Sequence, residues 1–172
     1  DGRVIETPKA IWWFILNGIV LRTRPAKSAK AYQSVWTDDG SPLLLYTQKQ
    51  KNLIKKQLEK KYPNLIFDIG MRYGNPSIAE GLNNLRNQNC DRIIVLPLYP
   101  QYCAATTGST FDAVALELQQ WRWVPSLRFI GSYYDQPLYI QALKNSIEEF
   151  WTKNDKPKKL LFSYHGIPKK YL

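Results

Sequence analysis

The chain has 172 residues, 44% of them hydrophobic and 13% aromatic, which suffices for one domain, or one and part of another, with a sizeable core. Lys and Arg outnumber Asp and Glu by 24 to 14. The resulting charge of +10 favours nucleic acid, anionic lipid or a polyanionic small molecule without choosing among them. The two cysteines, Cys90 and Cys103, form no C-x-x-C pair, so neither a disulfide framework nor a zinc site is indicated and a reducing compartment is expected.

The first predicted element is the apolar stretch AIWWFILNGIVL, residues 10–21. About a dozen residues fall short of the roughly 20 that cross a bilayer. We therefore predict a helix whose apolar face lies in a core or on a membrane surface. The chain opens at Asp1 without an initiator methionine, which is expected of a truncation point.

Five short apolar runs follow in chain order and are predicted as strands: residues 42–47, 64–70, 92–99, 126–134 and 159–166. They are almost continuously apolar, as expected for strands that are covered on both faces. The segments between them have helical character: residues 47–61, 108–121 and 136–153. This alternation, about every 25 to 35 residues, predicts an α/β fold with a parallel, doubly wound sheet and helices on both faces.

Candidate functional groups follow the carboxyl ends of these strands, where open parallel sheets bind ligands. In chain order they are Met71, Arg72 and Tyr73, then residues 99–102, Tyr133 and Tyr134, and finally His165. No P-loop or dinucleotide glycine motif follows any strand, so nothing supports a nucleotide cofactor. His165 is the only histidine. It either accepts a proton near neutral pH, ligates a borderline divalent metal such as Fe²⁺, or is a structural residue.

Four stretches of the chain resemble ferrochelatases, particularly those of bacteria. They are YQSVWTDDGSPLLLYTQKQ (32–50), GMRYGNPS (70–77), VLPLYPQYCAATTGSTFD (95–112) and SYHGIPKKY (163–171). They occur in the order and spacing of that family and cover essentially the whole chain. The resemblance implies two Rossmann-like, chelatase-type domains with a cleft between them. It also implies insertion of Fe²⁺ into protoporphyrin IX or a related porphyrin, at the end of haem synthesis.

The resemblance also implies roles for five residues. His165 matches the cleft histidine of the family, which is credited with metal binding, with accepting pyrrole protons, or with both. Tyr32 and Ser41 match positions that line the porphyrin pocket, although two extra residues separate them compared with some members. Arg72 and Tyr73 fall beside the macrocycle. Ordinary packing is the alternative for Tyr32 and Tyr73.

By the same resemblance the chain is expected to be truncated at both ends. Residues 1–125 would form a first Rossmann-like domain without its first strand, and residues 126–172 the beginning of a second, with the break at Pro125. The carboxylate that faces the histidine in relatives would lie beyond Leu172. We therefore expect the isolated chain to be inactive, and its unpaired sheet edge to favour self-association.

No resident cofactor is expected, because Fe²⁺ is a substrate. Some ferrochelatases hold a 2Fe–2S cluster through a cysteine in the stretch that matches residues 101–107. Cys103 stands next to that position rather than on it, so we predict no cluster.

The expected partners are a porphyrin and ferrous iron, with no nucleic acid, in a cytoplasmic protein that touches the membrane peripherally at most. Two alternatives stay open. A sister chelatase would load another metal or tetrapyrrole, although such relatives tend to carry a second histidine. A non-catalytic basic module would bind nucleic acid, although the charges are spread over helices rather than gathered in one stripe.

Overall fold

The chain falls into two compact units, Asp1–Cys90 and Asp91–Leu172, in a computed structural model that describes residues 2–172. The first unit is helical. Its elements are α1 (Lys9–Ile15), a π-helical turn (Leu16–Val20), α2 (Leu21–Thr23), α3 (Pro25–Gln33), α4 (Pro42–Leu58) and α5 (Ile78–Asn87).

The helix predicted over residues 10–21 is confirmed by α1, the π-helical turn and α2. No residue of these three elements is buried. Trp12 is half-buried, whereas 59% of Trp13 and 70% of Phe14 are exposed. The apolar face of this segment is therefore open in the first unit. None of the helices in residues 2–172 has the length and apolar character that a membrane span requires.

The strand predicted at residues 42–47 is wrong, because this run begins helix α4. Pro42 occupies the first turn, where its fixed φ suits a helix and its missing N–H removes no hydrogen bond. Ser41 precedes it as an extended N-cap residue. A short apolar run fits a strand and a buried helical turn equally well, and here the helix start decides between them.

The strands predicted at residues 64–70 and 159–166 are also wrong, because neither run pairs with a strand among residues 2–172. An apolar run becomes a strand only where a neighbour accepts and donates its backbone hydrogen bonds. Met71, just after the first run, makes one isolated bridge with Ser77. In the second run, Leu161 is 91% exposed.

The second unit contains a βαβ arrangement. Its elements are β1 (Arg92–Val95), a π-helical turn (Ala104–Gly108), α6 (Ser109–Leu118), β2 (Ser126–Phe129), α7 (Pro137–Lys153) and a 3-10 turn (Lys169–Tyr171). β1 and β2 are parallel, in register from Arg92 opposite Ser126 to Val95 opposite Phe129. The predicted α/β fold with a parallel sheet is confirmed, as are the helices predicted at 108–121 and 136–153. Within residues 2–172 the sheet has two strands rather than five.

The core of the second unit surrounds α6. Its most buried apolar residues are Ile93, Cys103, Val114, Leu118 and Trp121. The Phe111 ring meets the Phe129 ring edge to face, with centroids 5.3 Å apart, which packs the crossover helix against β2. The indole N–H of Trp121 donates to Glu117 Oε1 at 3.1 Å.

The division at residue 125 into two domains stays a prediction. In this structure the parallel pairing of β1 with β2 carries the sheet across that position. Pro125, where the break was predicted, is buried.

Candidate functional site

Arg72 and Tyr73 lie in the loop of residues 71–77, which precedes α5. The Arg72 guanidinium carbon stands 4.7 Å from the centroid of the Tyr73 ring, a cation–π pair. Tyr73 is 65% exposed and Arg72 is half-buried. The pair presents an aromatic ring beside a permanent cation, which suits a flat apolar ligand that carries carboxylates.

The loop is closed by its own backbone and by a capping box. The Met71 N–H donates to the Pro76 carbonyl at 2.7 Å. At the start of α5, the Ser77 N–H donates to Glu80 Oε2 at 2.5 Å, and the Glu80 N–H donates to Ser77 Oγ at 3.1 Å. Both ends of the loop are thus held by local hydrogen bonds.

The capping box makes the stability of this region depend on pH. The Ser77 backbone N–H, and after it the Ser77 hydroxyl, hold the pKa of Glu80 below its ordinary value of 4.5. An ionised Glu80 therefore stabilises the fold above that value, and this contribution is lost as the pH falls through the lowered pKa. Replacing Glu80 with Gln removes the titration and keeps an acceptor oxygen.

We predict that the urea midpoint of unfolding is higher for wild type than for Glu80→Gln at neutral pH. This difference in midpoint should shrink as the pH falls to about 3. Urea unfolding followed by circular dichroism at a series of pH values measures it. Parallel stability curves for the two proteins would contradict the role of the carboxylate.

Tyr32 and Ser41 lie on either side of a tight turn. Tyr32, in α3, is 62% exposed, and its ring meets the Trp36 ring edge to face at 6.1 Å. Thr37 and Gly40 exchange two backbone hydrogen bonds, and Gly40 has φ 112°, a conformation that favours glycine. The turn delivers Ser41 to the N-cap of α4, where its side chain makes no capping hydrogen bond.

His165 belongs to the second unit and is exposed. It was predicted at the end of a strand, but it lies in an irregular stretch before the 3-10 turn at Lys169–Tyr171. Just before it, the rings of Phe162 and Tyr164 are stacked with centroids 6.4 Å apart. An exposed imidazole is open to a ligand from solvent.

The loops that follow β1 and β2 meet at the carboxyl end of the sheet, as the sequence pattern predicts. The Tyr133 N–H donates to the Pro100 carbonyl at 2.9 Å. The Tyr133 ring meets the Tyr139 ring edge to face at 5.6 Å. Burial, and secondarily Tyr139, raise the pKa of the Tyr133 phenol above its ordinary value. This end of the second unit is therefore lined by aromatic groups.

Of the five predicted site residues, the structure brings Arg72 and Tyr73 into contact. Tyr32 and Ser41 lie in the same unit as that pair, and His165 lies in the other. Their roles stay predictions. Sequence reasoning missed Glu80, whose carboxylate accepts the Ser77 N–H at the end of the Arg72 loop, although SIAE at 77–80 matches the S-x-x-E capping pattern.

Comparison with known proteins gives one consistent family. The sequence profile described as Ferrochelatase matches residues 1–172. The chain is 54% identical to "Ferrochelatase" of Hydrogenovibrio crunogenus over 99% of its length, covering 47% of that protein. It is 52% identical to "Ferrochelatase 2" of Shewanella oneidensis and 48% identical to "Ferrochelatase" of Marinobacter nauticus, over its whole length in both cases.

In these two alignments the chain covers 53% and 47% of the relative, so it spans about half the length of the curated relatives it matches. The matched region contains both units and every predicted site residue. On this evidence the chain belongs to the ferrochelatase family.

Proposed function

We propose that the protein containing this chain inserts ferrous iron into a porphyrin, either protoporphyrin IX or a close relative, as the last stage of haem synthesis. The observation that carries the proposal is identity at about half of all positions with proteins named ferrochelatase, along the whole chain. The Arg72–Tyr73 pair, with its exposed tyrosine ring, and the exposed His165 supply chemistry that this reaction needs.

The reaction exchanges two protons for one metal ion. Two pyrrole N–H bonds break, four bonds form between iron and the ring nitrogens, and two protons leave. His165 is proposed to accept a pyrrole proton, to bind the incoming Fe²⁺, or to do both. A neutral imidazole serves either role near pH 7, since one ring nitrogen has an available lone pair.

The macrocycle is proposed to rest against residues of the first unit. Tyr73 offers an aromatic face, and the Arg72 guanidinium offers paired N–H donors to a propionate. Tyr32 and Ser41 each add a hydroxyl for the polar rim of the porphyrin. Iron is a substrate in this proposal and no resident cofactor takes part. A visible or electron paramagnetic resonance signal of a 2Fe–2S cluster in the purified protein would overturn that last point.

Binding separates this function from the nucleic-acid alternative. Tryptophan fluorescence of the full-length protein, titrated with protoporphyrin IX and separately with duplex DNA, should show saturable quenching by the porphyrin alone. Replacing Arg72 and Tyr73 together with Ala should weaken porphyrin binding by about tenfold or more, given about 1 kcal/mol for each aromatic or ionic contact. Saturable DNA binding without porphyrin binding would support the basic module instead.

Metal insertion separates this function from that of a sister chelatase. The same protein should consume Fe²⁺ and protoporphyrin IX with formation of haem, followed by absorbance. A protein that inserts only another divalent ion, or that accepts only a reduced or modified tetrapyrrole, would contradict the proposal.

The apolar segment of residues 10–21 is proposed to touch a membrane surface from the cytoplasmic side. Its exposed Trp13 and Phe14 are followed by Arg22, Arg24 and Lys27, a combination suited to anionic lipid. Replacing Trp13 and Phe14 with Ser should reduce co-sedimentation with phosphatidylglycerol vesicles by about tenfold. Phe150→Ser, which alters an equally exposed ring on α7, is the matched control. Equal losses in the two variants would remove the support for this surface.

Self-association through a sheet edge is proposed for the isolated chain. Ile94, in β1, is 65% exposed, and edge strands with exposed apolar side chains pair readily with other copies. Sedimentation of wild type and Ile94→Lys at several concentrations tests it. A monomeric wild type would contradict this proposal.

A further inference from the structure

We infer that Glu80 and Gly81, in the first turn of α5, are positioning residues that set the location of the Arg72–Tyr73 pair. The inference rests on the function proposed above, in which that pair contacts the porphyrin. Neither Glu80 nor Gly81 is proposed to touch the substrate. They act on the two ends of the loop that carries the pair.

The first anchor is a close approach between two backbone segments. A Cβ at Gly81 would lie 2.8 Å from the Ile69 carbonyl oxygen, and a Cβ at Gly70 would lie 2.7 Å from Ile78 Cα. Both neighbouring atoms belong to the backbone, so no side-chain rotation relieves either contact. Ordinary contact begins at 3.4 Å. The segment that leads into the loop therefore lies against α5 at a separation that only glycines permit.

A side-chain bridge fixes the register of the same two segments. The Asp68 carboxylate accepts the Ile69 N–H through Oδ1 at 2.8 Å and the Asn84 side-chain amide through Oδ2 at 2.9 Å. Asn84 lies one turn after Gly81 on α5. The segment that enters the loop is thus held against α5 by close backbone packing and by the hydrogen bonds of Asp68.

The second anchor is at the exit of the loop. The Glu80 carboxylate accepts the Ser77 N–H, and the Gly81 N–H donates to the Ser77 carbonyl at 3.0 Å. The Met71 bridge to Ser77 joins the entry directly to this exit. Both ends of the loop therefore rest on one helical turn, and Arg72 and Tyr73 project from an arc whose ends are held.

Because of this geometry, a change in the first turn of α5 should alter the position of Arg72 and Tyr73 and so their contact with the porphyrin. Adding a methyl group at Gly81 pushes Ile69 from 2.8 Å towards ordinary contact and displaces the entry of the loop by several tenths of an ångström. Displacements of about 1 Å in groups that orient a substrate lower rates by up to about 100-fold. The effect should appear in porphyrin recognition rather than in iron recognition, since only the loop moves.

The test is steady-state kinetics of the full-length protein with both substrates varied. Gly81→Ala should raise the KM for protoporphyrin IX by about tenfold and leave the KM for Fe²⁺ unchanged, with the circular dichroism spectrum intact. Asn87→Ala, at the exposed end of the same helix, is the matched control and should leave both constants unchanged. Glu80→Ala should raise the porphyrin KM by about threefold, and Glu80→Gln should restore most of it, because an amide oxygen still accepts the Ser77 N–H.

A double-mutant cycle separates positioning from general loosening. In a protein that already carries Arg72→Ala and Tyr73→Ala, adding Gly81→Ala should raise the porphyrin KM no further. A further rise of the full size would overturn the inference. If Gly81→Ala does not fold, Glu80→Ala takes its place in the cycle, because Glu80 is exposed.

The failure of this inference differs from failure of the proposed function. A raised porphyrin KM in the Arg72 and Tyr73 variants, with unchanged values in the Glu80 and Gly81 variants, would overturn the inference alone. An unchanged porphyrin KM in the Arg72 and Tyr73 variants would overturn their proposed substrate contact, and the inference with it.

Discussion

Replacing His165 with Ala in the full-length protein is expected to lower the turnover number for metal insertion by about 100-fold or more, the usual effect of removing a general base. The imidazole is exposed and lies outside both the β1–β2 sheet and the core around α6. Its loss should therefore leave the unfolding temperature within about 2 °C of wild type, because exposed substitutions rarely change stability. Steady-state kinetics beside a thermal melt measure the two quantities.

Two controls sharpen the His165 experiment. Lys158→Ala changes an exposed side chain in the same irregular stretch and should leave turnover unchanged. Imidazole added to the His165→Ala protein should restore part of the activity, since the site is open to solvent. Unchanged turnover in His165→Ala, or loss of fold together with loss of turnover, would count against a chemical role.

Replacing Trp121 with Ala is expected to lower the free energy of unfolding of the second unit by about 3 to 5 kcal/mol, the range for deleting a buried indole. Trp121 is 7% exposed and packs in the core around α6, and its N–H donates to Glu117. The change leaves a cavity where the buried indole stood and removes that hydrogen bond. Urea unfolding followed by circular dichroism measures the loss.

Trp123 provides the matched control for this experiment. It is the same residue type two positions later and is 59% exposed. Trp123→Ala should change the free energy of unfolding by less than about 0.5 kcal/mol, as surface substitutions do. Similar losses in the two variants would show that the indole of Trp121 is not a core residue.

The two predictions concern different parts of the second unit. The Trp121 side chain is part of the packed βαβ core, whereas His165 follows α7 in a stretch without regular backbone pairing. Stability and proposed chemistry therefore depend on separate residues. In the first unit one residue is linked to both, since Glu80 caps α5 and its carboxylate binds the Ser77 N–H at the end of the Arg72 loop.

The elements that could be predicted are those specified by neighbouring residues. The period of apolar side chains in 136–153 predicts α7, and the apolar runs that contain β1 and β2, with a helical segment between them, predict a parallel βαβ unit. The helix over 10–21 follows from its length and composition. The family was predicted from four sequence motifs that occur in the expected order, and recognising them requires no structure.

Three predicted strands failed because apolar character alone does not create a strand. In 42–47 a proline at the helix start decided the local conformation. In 64–70 and 159–166 the outcome depends on whether another segment supplies backbone partners, and none does so among residues 2–172. Pairing between distant segments is not encoded in any short window.

The sequence by itself determined the parallel α/β class, the helical segments at 10–21, 108–121 and 136–153, the family, and the identity of the candidate groups His165, Tyr32, Ser41, Arg72 and Tyr73. Only the tertiary structure decided that β1 pairs with β2 across the predicted break and that Gly81 lets α5 approach the backbone of Ile69. The physical reason is range. Helical period, capping and motif composition act over a few residues, whereas strand pairing and close backbone approach depend on where residues ten or more positions apart are brought together.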